Sequence, residues 1–374
     1  MGSRRQGDSP FRHEAPLRAE DLCDRADELA ALNELCLGGR FVKLLAPRRF
    51  GKTSLLHAAF ERLRRDHDAT CVLCDLDGVV SRADLALRLQ VSYAEQLRGR
   101  ALRTARDHLA AAGISLTLGG GGVRAQLGAG VDPDQLVESL LDAPRRIAQR
   151  TGRPIVVALD EFQVVLALDG VDALLRSRIQ HHAGQVGYIF CGSEPSMMEH
   201  LFDDRARPLY GQALPMRLGR LGRGDLAPYI ATRFERTGRD PGSALDALLD
   251  VAEGHPQRAM LLAHALWLAL APGAAGDESS FADALAYVER EVEPECEALW
   301  RSLQPGERRT LRAIADGNTT VIPRSVQQAL DLPRQTSDAA RRRLLGEGLL
   351  ERDGDRHRIV DPLFARWLRR LGLG

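Results

Sequence analysis

Lysine is almost missing from this sequence of 374 residues. Only Lys43 and Lys52 occur, although lysine and arginine together number 51. The acidic residues also number 51, so the formal net charge is zero. Zero net charge argues against an overall electrostatic attraction to nucleic acid or to a membrane, and any such binding must depend on local charge. Because arginine is the usual cation here, a lysine inside a motif indicates chemistry that needs a compact ammonium group.

Paired cysteines and long apolar runs are missing too. The six cysteines are scattered, and Cys71 and Cys74 lie in a predicted strand whose geometry points them to opposite faces. We therefore expect free, buried thiols, as is usual in a reducing compartment, and no zinc site. The apolar stretch 259–271 is too short to span a bilayer and contains His264.

Residues 1–16 are polar and rich in arginine, and they contain no apolar block of the kind found in a signal peptide. We expect this segment to be a disordered leader and the protein to be cytoplasmic, with no membrane partner. The chain is longer than one core comfortably supports, so two or three domains are expected.

The octapeptide 46–53, Ala-Pro-Arg-Arg-Phe-Gly-Lys-Thr, follows a short apolar run at 41–45 and precedes a helical pattern at 54–60. This order predicts a strand that leads into a helix N-terminus, with the spacing of a phosphate-binding P-loop. Ala46 stands where glycine is usual, and its effect on the loop geometry stays open. The predicted nucleotide-binding residues of the loop and the first helical turn are Arg49, Phe50, Gly51, Lys52, Thr53 and Ser54.

Two side chains of this octapeptide have distinct predicted tasks. The ammonium group of Lys52 is expected to reach phosphate oxygens as a point charge. The hydroxyl of Thr53 is expected to be a ligand of Mg²⁺.

A second motif ends an uninterrupted apolar run. Residues 154–163 read Pro-Ile-Val-Val-Ala-Leu-Asp-Glu-Phe-Gln, which is typical of a strand buried on both faces and looks like a Walker B motif. Asp160 is predicted to hold Mg²⁺, directly or through water, and Glu161 to polarise the water that attacks the γ-phosphate. A solvated acidic turn is the alternative, but the upstream P-loop favours Walker B.

A third apolar strand is predicted over 186–191 and ends in Gly192, Ser193 and Glu194. Ser193 is a candidate sensor that contacts the γ-phosphate or the lytic water, and it joins Lys52 and Glu161 as a predicted catalytic residue. A serine here also suits the cap of a helix that begins at Pro195, and the two roles stay open.

Predicted strands near residues 41, 70, 154, 186 and 215 alternate with helices. This alternation predicts an α/β fold with a parallel sheet, helices on both faces and the ligand at the carboxyl ends of the strands. Between the second strand and the Walker B run, we predict a helix at 81–112 and a hairpin at 114–130. The hairpin is either a partner surface or a mobile loop without a specific ligand.

Helical patterns dominate from residue 223 to 298, and the pattern of a winged helix follows, with three helices and a strand, turn and strand. Its third helix carries Arg341, Arg342 and Arg343 and would read DNA in a nucleic-acid binder. Nearby acids dilute this positive patch, and winged helices also contact proteins, so DNA and protein partners both stay open.

Together these motifs resemble those of the archaeal-type ATPases, a family near the STAND and origin-recognition groups within AAA+. The resemblance spans roughly residues 17–370. It is carried by Pro-Arg-Arg-Phe-Gly-Lys-Thr-Ser-Leu-Leu at 47–56, Leu-Asp-Glu-Phe-Gln at 159–163, Gly-Ser-Glu-Pro-Ser-Met-Met at 192–198 and Asp-Pro-Leu-Phe-Ala-Arg-Trp-Leu at 361–368.

The resemblance implies a P-loop NTPase sheet with strand order 5-1-4-3-2 and binding of ATP and Mg²⁺. It divides the chain after the leader into an ATPase core at 17–222, a helical lid at 223–298 and a winged-helix domain at 299–374. It also implies that Arg25, before an acidic helix start, belongs to a segment that contacts adenine. Pro256, in Gly-His-Pro-Gln at 254–257, would pack near the base, although proline is also routine at a helix start.

The family tends to have an arginine after Tyr210 and Gly211, where this chain has Gln212. If that arginine reaches the nucleotide of a neighbouring subunit, the role is lost here or passes to Arg205 or Arg207.

Two functions remain at this point. The first is an ATPase or STAND-like switch, in which nucleotide state moves the lid and the winged helix. The second is a nucleotide-regulated DNA-binding or scaffold protein in which hydrolysis is incidental. A protein client or a homo-oligomer is compatible with either.

Overall fold

Parallel strands and covering helices alternate along the first half of the chain. The computed structural model describes residues 9–15, 17–111, 115–119, 122–126, 132–320 and 322–371. The strands are β1 (Phe41–Leu45), β2 (Thr70–Asp75), β3 (Ser115–Gly119), β4 (Gly122–Gln126), β5 (Ile155–Asp160), β6 (Val186–Gly192), β7 (Leu214–Arg217), β8 (Leu350–Asp353) and β9 (Arg356–Ile359). The α-helices are α1 (Ala26–Leu37), α2 (Lys52–His67), α3 (Arg82–Gln96), α4 (Gly99–Ala111), α5 (Pro133–Thr151), α6 (Val171–Ile179), α7 (Pro195–Asp203), α8 (Arg223–Glu235), α9 (Ala244–Ala252), α10 (Pro256–Ala269), α11 (Glu278–Ser302), α12 (Pro305–Ala315), α13 (Arg324–Ala329), α14 (Arg334–Gly346) and α15 (Pro362–Arg370).

The central sheet is parallel, with the order β2-β5-β6-β1-β7. Counted within this sheet, the order is 2-3-4-1-5, which is the predicted 5-1-4-3-2 read from the other edge. The predicted fold class and strand order are therefore confirmed. The topology brings the carboxyl ends of β1, β5 and β6 to one edge, where ligands bind in sheets of this kind.

Side chains of the central strands alternate between two apolar layers. On β1, Phe41 and Leu45 join the cluster that contains residues of α3, α5 and α6, whereas Val42 and Leu44 join the cluster of α1 and α2. Because both faces of the strand are covered, the sequence shows a continuous apolar run here and no alternation. The six cysteines are free and buried, as predicted.

The insertion between β2 and β5 differs in part from the prediction. The single helix predicted at 81–112 is two helices, α3 and α4, because Leu97 adopts an extended conformation with ψ 145° and Gly99 has a positive φ of 54°. The predicted hairpin is confirmed as the antiparallel pair β3 and β4. Its tip at 120–121 and the predicted ends at 114 and 127–130 lie outside the described residues.

Helices α8 to α11 pack into one apolar cluster with α12, α14 and α15. Phe234, Leu266, Val288 and Phe364 are among its buried members. Helix α11 runs to Ser302, so the boundary predicted between 298 and 299 falls inside a helix.

The C-terminal elements follow the predicted order of helices and hairpin. Strands β8 and β9 are antiparallel, with Leu350 opposite Ile359, and Gly354 takes the positive φ of 59° that the turn requires. The C-terminal end of α14 contacts the first turn of α7, where the Ser196 hydroxyl donates to the Gly346 carbonyl over 3.0 Å. None of the helices described is long and apolar enough to cross a bilayer.

The prediction of a disordered leader over 1–16 needs a correction within residues 9–15. Phe11 is 2% exposed, and its ring centroid lies 5.0 Å from that of Phe234 on α8. One buried aromatic side chain can hold a segment in place through apolar contacts. The polar composition of the segment as a whole does not show this. The segment is thereby held against the helices that follow the sheet.

Candidate functional site

A cavity of about 800 Å³ lies at the carboxyl edge of the sheet, between the strands and helices α8 and α10. Every residue predicted for the site lines it: Arg25, Arg49, Phe50, Gly51, Lys52, Thr53, Ser54, Asp160, Glu161, Ser193 and Pro256. Residues from distant parts of the sequence therefore meet where the topology places a ligand.

The loop between β1 and α2 has the backbone form of an anion-binding turn. Gly51 has φ 87°, and Arg49 is also left-handed at φ 67°. Alternation of left-handed and right-handed residues turns successive N–H groups toward one concave surface, which attracts anions. Gly51, at the N-cap of α2, has no side chain to cap the helix, which leaves the first N–H groups of α2 available to a ligand.

Lys52 is a buried cation in this turn. It is 7% exposed, and among the described residues its Nζ has no hydrogen-bond acceptor. The carboxylate of Glu161 lies nearby, with Nζ and Oε1 3.8 Å apart. Burying an ammonium without hydrogen bonds is costly, so this arrangement is suited to receive an anion that supplies acceptors.

The two acids of the Walker B run occupy different environments. Burial raises the pKa of Asp160 above its ordinary value, although Lys52 opposes this. Burial would also raise the pKa of Glu161, but Lys52, Ser193 and Gln163 outweigh it and lower that pKa. Glu161 has a left-handed backbone, φ 51° and ψ 40°, which is unusual for a residue other than glycine.

Ser193 points to the acid and not to a helix end. Its hydroxyl donates to Oε2 of Glu161 over 2.7 Å. Helix α7 begins after Glu194 and receives no side-chain cap, so the alternative of Ser193 as a helix cap is wrong. Gln163, which the sequence did not mark as functional, also donates to the same oxygen of Glu161.

Arg25 and Pro256 lie on the cavity wall, at some remove from the phosphate loop in sequence. The guanidinium of Arg25 donates to the Gly219 carbonyl over 2.6 Å and to Glu28 over 2.8 Å. Pro256 is the first residue of α10, which His255 caps by accepting from the Arg258 N–H. Burial lowers the pKa of His255 to about 3, so the ring that packs on Phe50 is neutral at physiological pH.

Sequence reasoning missed the rest of the cavity wall. The segment 12–15 of the presumed leader lines it, together with Cys23, Tyr229 and Met260. Leu17, next to that segment, donates its backbone N–H to the Ser54 hydroxyl over 2.9 Å. The isolated Phe11 in a polar stretch was the one sequence signal that this segment packs.

The arginine-finger candidates lie outside the cavity lining. Arg207 pairs with Asp172 over 3.2 Å and also contacts His200, whereas Arg205 is exposed. Gln212 bonds weakly to the Tyr210 carbonyl over 3.4 Å. Any role for these residues toward a neighbouring subunit stays a prediction.

An ionic chain leads from the phosphate loop to the C-terminal helix. Arg49 pairs with Glu295 of α11 over 2.5 Å, and Glu295 also lies 3.4 Å from Arg258 of α10. Arg258 is 2% exposed and grips both carboxylate oxygens of Asp361, with Nε 3.1 and 3.0 Å from them. A continuous series of ion pairs thus connects the loop, two helices of the predicted lid and the N-terminus of α15.

The sheet order, the loop before α2 and the acids at the end of β5 define the fold of AAA+ P-loop ATPases. No family model and no curated protein sequence matches the chain.

Solved structures are similar over nearly the whole length. A Walker-type ATPase of Pyrococcus abyssi superposes with a TM-score of 0.71 at 20% identity, covering 96% of this chain and 99% of that one. The ORC2 protein of Aeropyrum pernix, solved as ADPNP and ADP complexes, gives a TM-score of 0.60 at 16% identity, with 96% and 95% covered. At the level of fold, the resemblance to archaeal-type ATPases is confirmed.

Proposed function

We propose that this chain binds ATP with Mg²⁺ and hydrolyses it to ADP and phosphate. The observation that carries the proposal is Lys52, a buried ammonium without a hydrogen-bond acceptor among the described residues, at the start of a helix and inside a cavity whose lining includes Asp160 and Glu161. A triphosphate supplies the missing acceptors and matches the positive end of the helix.

The phosphate loop and the two acids have distinct roles in this proposal. Lys52 and the N–H groups of residues 49–54 hold the phosphates, and Glu161 accepts a proton from the attacking water. The Thr53 hydroxyl and the Asp160 carboxylate both line the cavity and offer hard oxygen atoms, the ligand type that suits Mg²⁺. When bound, the ion neutralises charge that develops on the phosphate oxygens.

In the same proposal, nucleotide state is coupled to movement of helices α8 to α11 and of a C-terminal winged helix, as in a STAND-like switch. Support comes from the position of the cavity between the sheet and α10, and from the pairing of Arg49 with Glu295 on α11. A phosphate group near Arg49 competes with Glu295 for the guanidinium.

Removal of the loop ammonium tests nucleotide binding directly. We expect Lys52→Ala to weaken ATP binding about 10- to 100-fold, because a charge-assisted hydrogen bond contributes about 1.5–3 kcal/mol. Isothermal titration calorimetry with ATP and Mg²⁺ measures this. Lys52→Arg should recover only part of the loss, since a flat guanidinium does not reproduce a point charge.

Arg65→Ala is the matched control, because Arg65 lies on the same helix, exposed, and pairs with its neighbour Asp66. It should bind ATP as the wild type does. Wild-type affinity in Lys52→Ala, or no heat of binding in the wild type, would remove the proposed phosphate site.

DNA binding through α14 is the second candidate. Arg342 is exposed on this helix, which favours it, whereas the exposed Arg334 lies 3.8 Å from Asp338. Arg343 weighs less, because it pairs with Glu347 over 2.7 Å and with Glu307 over 3.2 Å, and Arg341 is half-buried.

If duplex DNA binds here, Arg342→Ala should lower the slope of log K against log salt by about one, since each phosphate contact releases counterions. Arg343→Ala, whose charge is already balanced by two acids, should change the slope less. Fluorescence anisotropy with labelled duplex at several salt concentrations decides this. Absence of binding at low salt would rule out the DNA candidate.

A further inference from the structure

Gln163 lies two residues after Glu161 and has no role in the proposed hydrolysis. Strand β5 ends at Asp160, and the left-handed backbone of Glu161 reverses the chain into a short 3₁₀ helix over 162–167. This turn brings the side chains of Glu161 and Gln163 together, whereas in a continued strand residues two apart would not be hydrogen-bonded to each other through their side chains. Its side chain is buried, at 5% exposure.

The amide of Gln163 donates to two acceptors. Its Nε2 lies 2.5 Å from Oε2 of Glu161 and 3.3 Å from the Ser193 hydroxyl oxygen. An amide nitrogen carries two protons, so both bonds form together. Because a carboxylate only accepts, the amide must present its N–H side to Glu161, which fixes its orientation.

Ser193 has a single proton, and here that proton is used. The hydroxyl donates to Oε2 of Glu161 over 2.7 Å. If Ser193 turns to a γ-phosphate, as predicted for a sensor, the acid loses this donor. Gln163 then remains to hold the same oxygen. The other oxygen, Oε1, faces Lys52 at 3.8 Å and is left to accept from water.

We propose that Gln163 is a positioning residue that anchors Glu161 through Oε2 and leaves Oε1 for the attacking water, whether Ser193 faces the acid or the nucleotide. This role rests on the proposed ATPase function and goes one step beyond it. Gln163 also donates to the hydroxyl oxygen of Ser193. The proton of that hydroxyl therefore points away from the Gln163 amide.

If Gln163 served only to pack the interior, its replacement would change the melting temperature and not kcat, which is the opposite of what we expect. Among the described residues, Oε1 of Gln163 is buried and receives no hydrogen bond. Its surroundings include Met198 and Gly192. A buried carbonyl with no partner destabilises a fold, and an apolar side chain of the same length removes that penalty. The melting temperature of Gln163→Met should therefore stay close to that of the wild type. Methionine, however, cannot donate a hydrogen bond to Glu161.

The test uses the full chain, with steady-state phosphate release, calorimetry with a non-hydrolysable ATP analogue and thermal melting. We expect Gln163→Met to lower kcat about 10- to 100-fold, as is typical for loss of hydrogen bonds to a charged group. KM and the analogue affinity should stay within about threefold, since the phosphates are held elsewhere. Gln163→Glu, which replaces the donor by a second negative charge, should lower kcat further.

A double-mutant cycle separates positioning from general damage. Ser193→Ala and Gln163→Met each leave one donor on the same oxygen, whereas the double variant leaves none, so the double variant should lose more than the product of the single losses. Strict multiplicativity, or an unchanged kcat in Gln163→Met beside an active wild type, would overturn the role of Gln163 alone. A wild type that binds the analogue but releases no phosphate would overturn the proposed hydrolysis, and the role with it.

Discussion

Glu161→Gln is expected to lower ATP turnover about 10²- to 10⁴-fold, the usual contribution of a positioned general base. The variant keeps the shape of the side chain and an acceptor for Ser193 and Gln163, so the site should stay intact. It loses the carboxylate that takes the proton from water. Nucleotide affinity should stay within about threefold, because Lys52 and the helix N-terminus hold the phosphates.

Steady-state phosphate release, with calorimetry on the same samples, measures both quantities. Glu199→Gln is the matched control, because Glu199 is an acid on α7 that pairs with Arg217 at the surface over 2.6 Å. It should turn over ATP like the wild type. Turnover of Glu161→Gln within threefold of the wild type would show that another group activates the water.

Asp361→Ala is expected to lower the free energy of unfolding of the helical part by about 3–5 kcal/mol, because it leaves the buried Arg258 without its carboxylate. Asp361 also caps α15 by accepting from the Leu363 N–H over 2.9 Å. Glu295 lies 3.4 Å from Arg258 but is about half exposed, so it cannot replace the buried partner.

Urea unfolding followed by tryptophan fluorescence suits this test, because all three tryptophans, Trp267, Trp300 and Trp367, lie in the helical and C-terminal parts. Asp353→Ala is the control, since Asp353 is exposed in the hairpin and pairs with Arg358, and such pairs contribute at most about 1 kcal/mol. Equal losses in the two variants would contradict a special role for the Arg258 pair.

The effect of Asp361 also has a definite pH dependence. Burial alone would raise the pKa of Asp361, but Arg258 outweighs it and lowers the pKa below the ordinary value. A lowered pKa in the folded state adds stability above the unfolded value of about 3.9, and this stability is lost as pH falls below it. The difference between wild type and Asp361→Ala should therefore shrink in acid.

The fold and the phosphate loop were predictable from the sequence because they depend on local patterns. Apolar runs of strand length revealed the buried strands, and one octapeptide identified the turn before α2. The two acids, Asp160 at the end of β5 and Glu161 after it, were identified by their place after such a run. Strand order came from the family resemblance, since a pattern of alternating elements does not by itself order a sheet.

What the sequence could not supply depends on backbone reversals and contacts between distant segments. The left-handed turn at Glu161 brings Gln163 back to the acid, and no pattern signals a positive φ at a glutamate. Phe11 packs on Phe234, more than two hundred residues away, so its segment looked like a leader. The role of Ser193 was undecided because a helix cap and a phosphate sensor require the same residue type, and its contact with Glu161 was not predicted.

The position of Glu295 between two arginines has a thermodynamic consequence. An anion that draws Arg49 toward itself weakens the hold of that arginine on α11, so the free energy of uptake includes the work of loosening that contact. If the proposed coupling holds, reciprocity requires the converse with equal magnitude: a partner that displaces α11 and α15 changes the affinity of the phosphate loop by the same factor. A partner that binds α11 or α15 would thus change the affinity of the loop for its ligand, and the ligand would change the affinity for that partner.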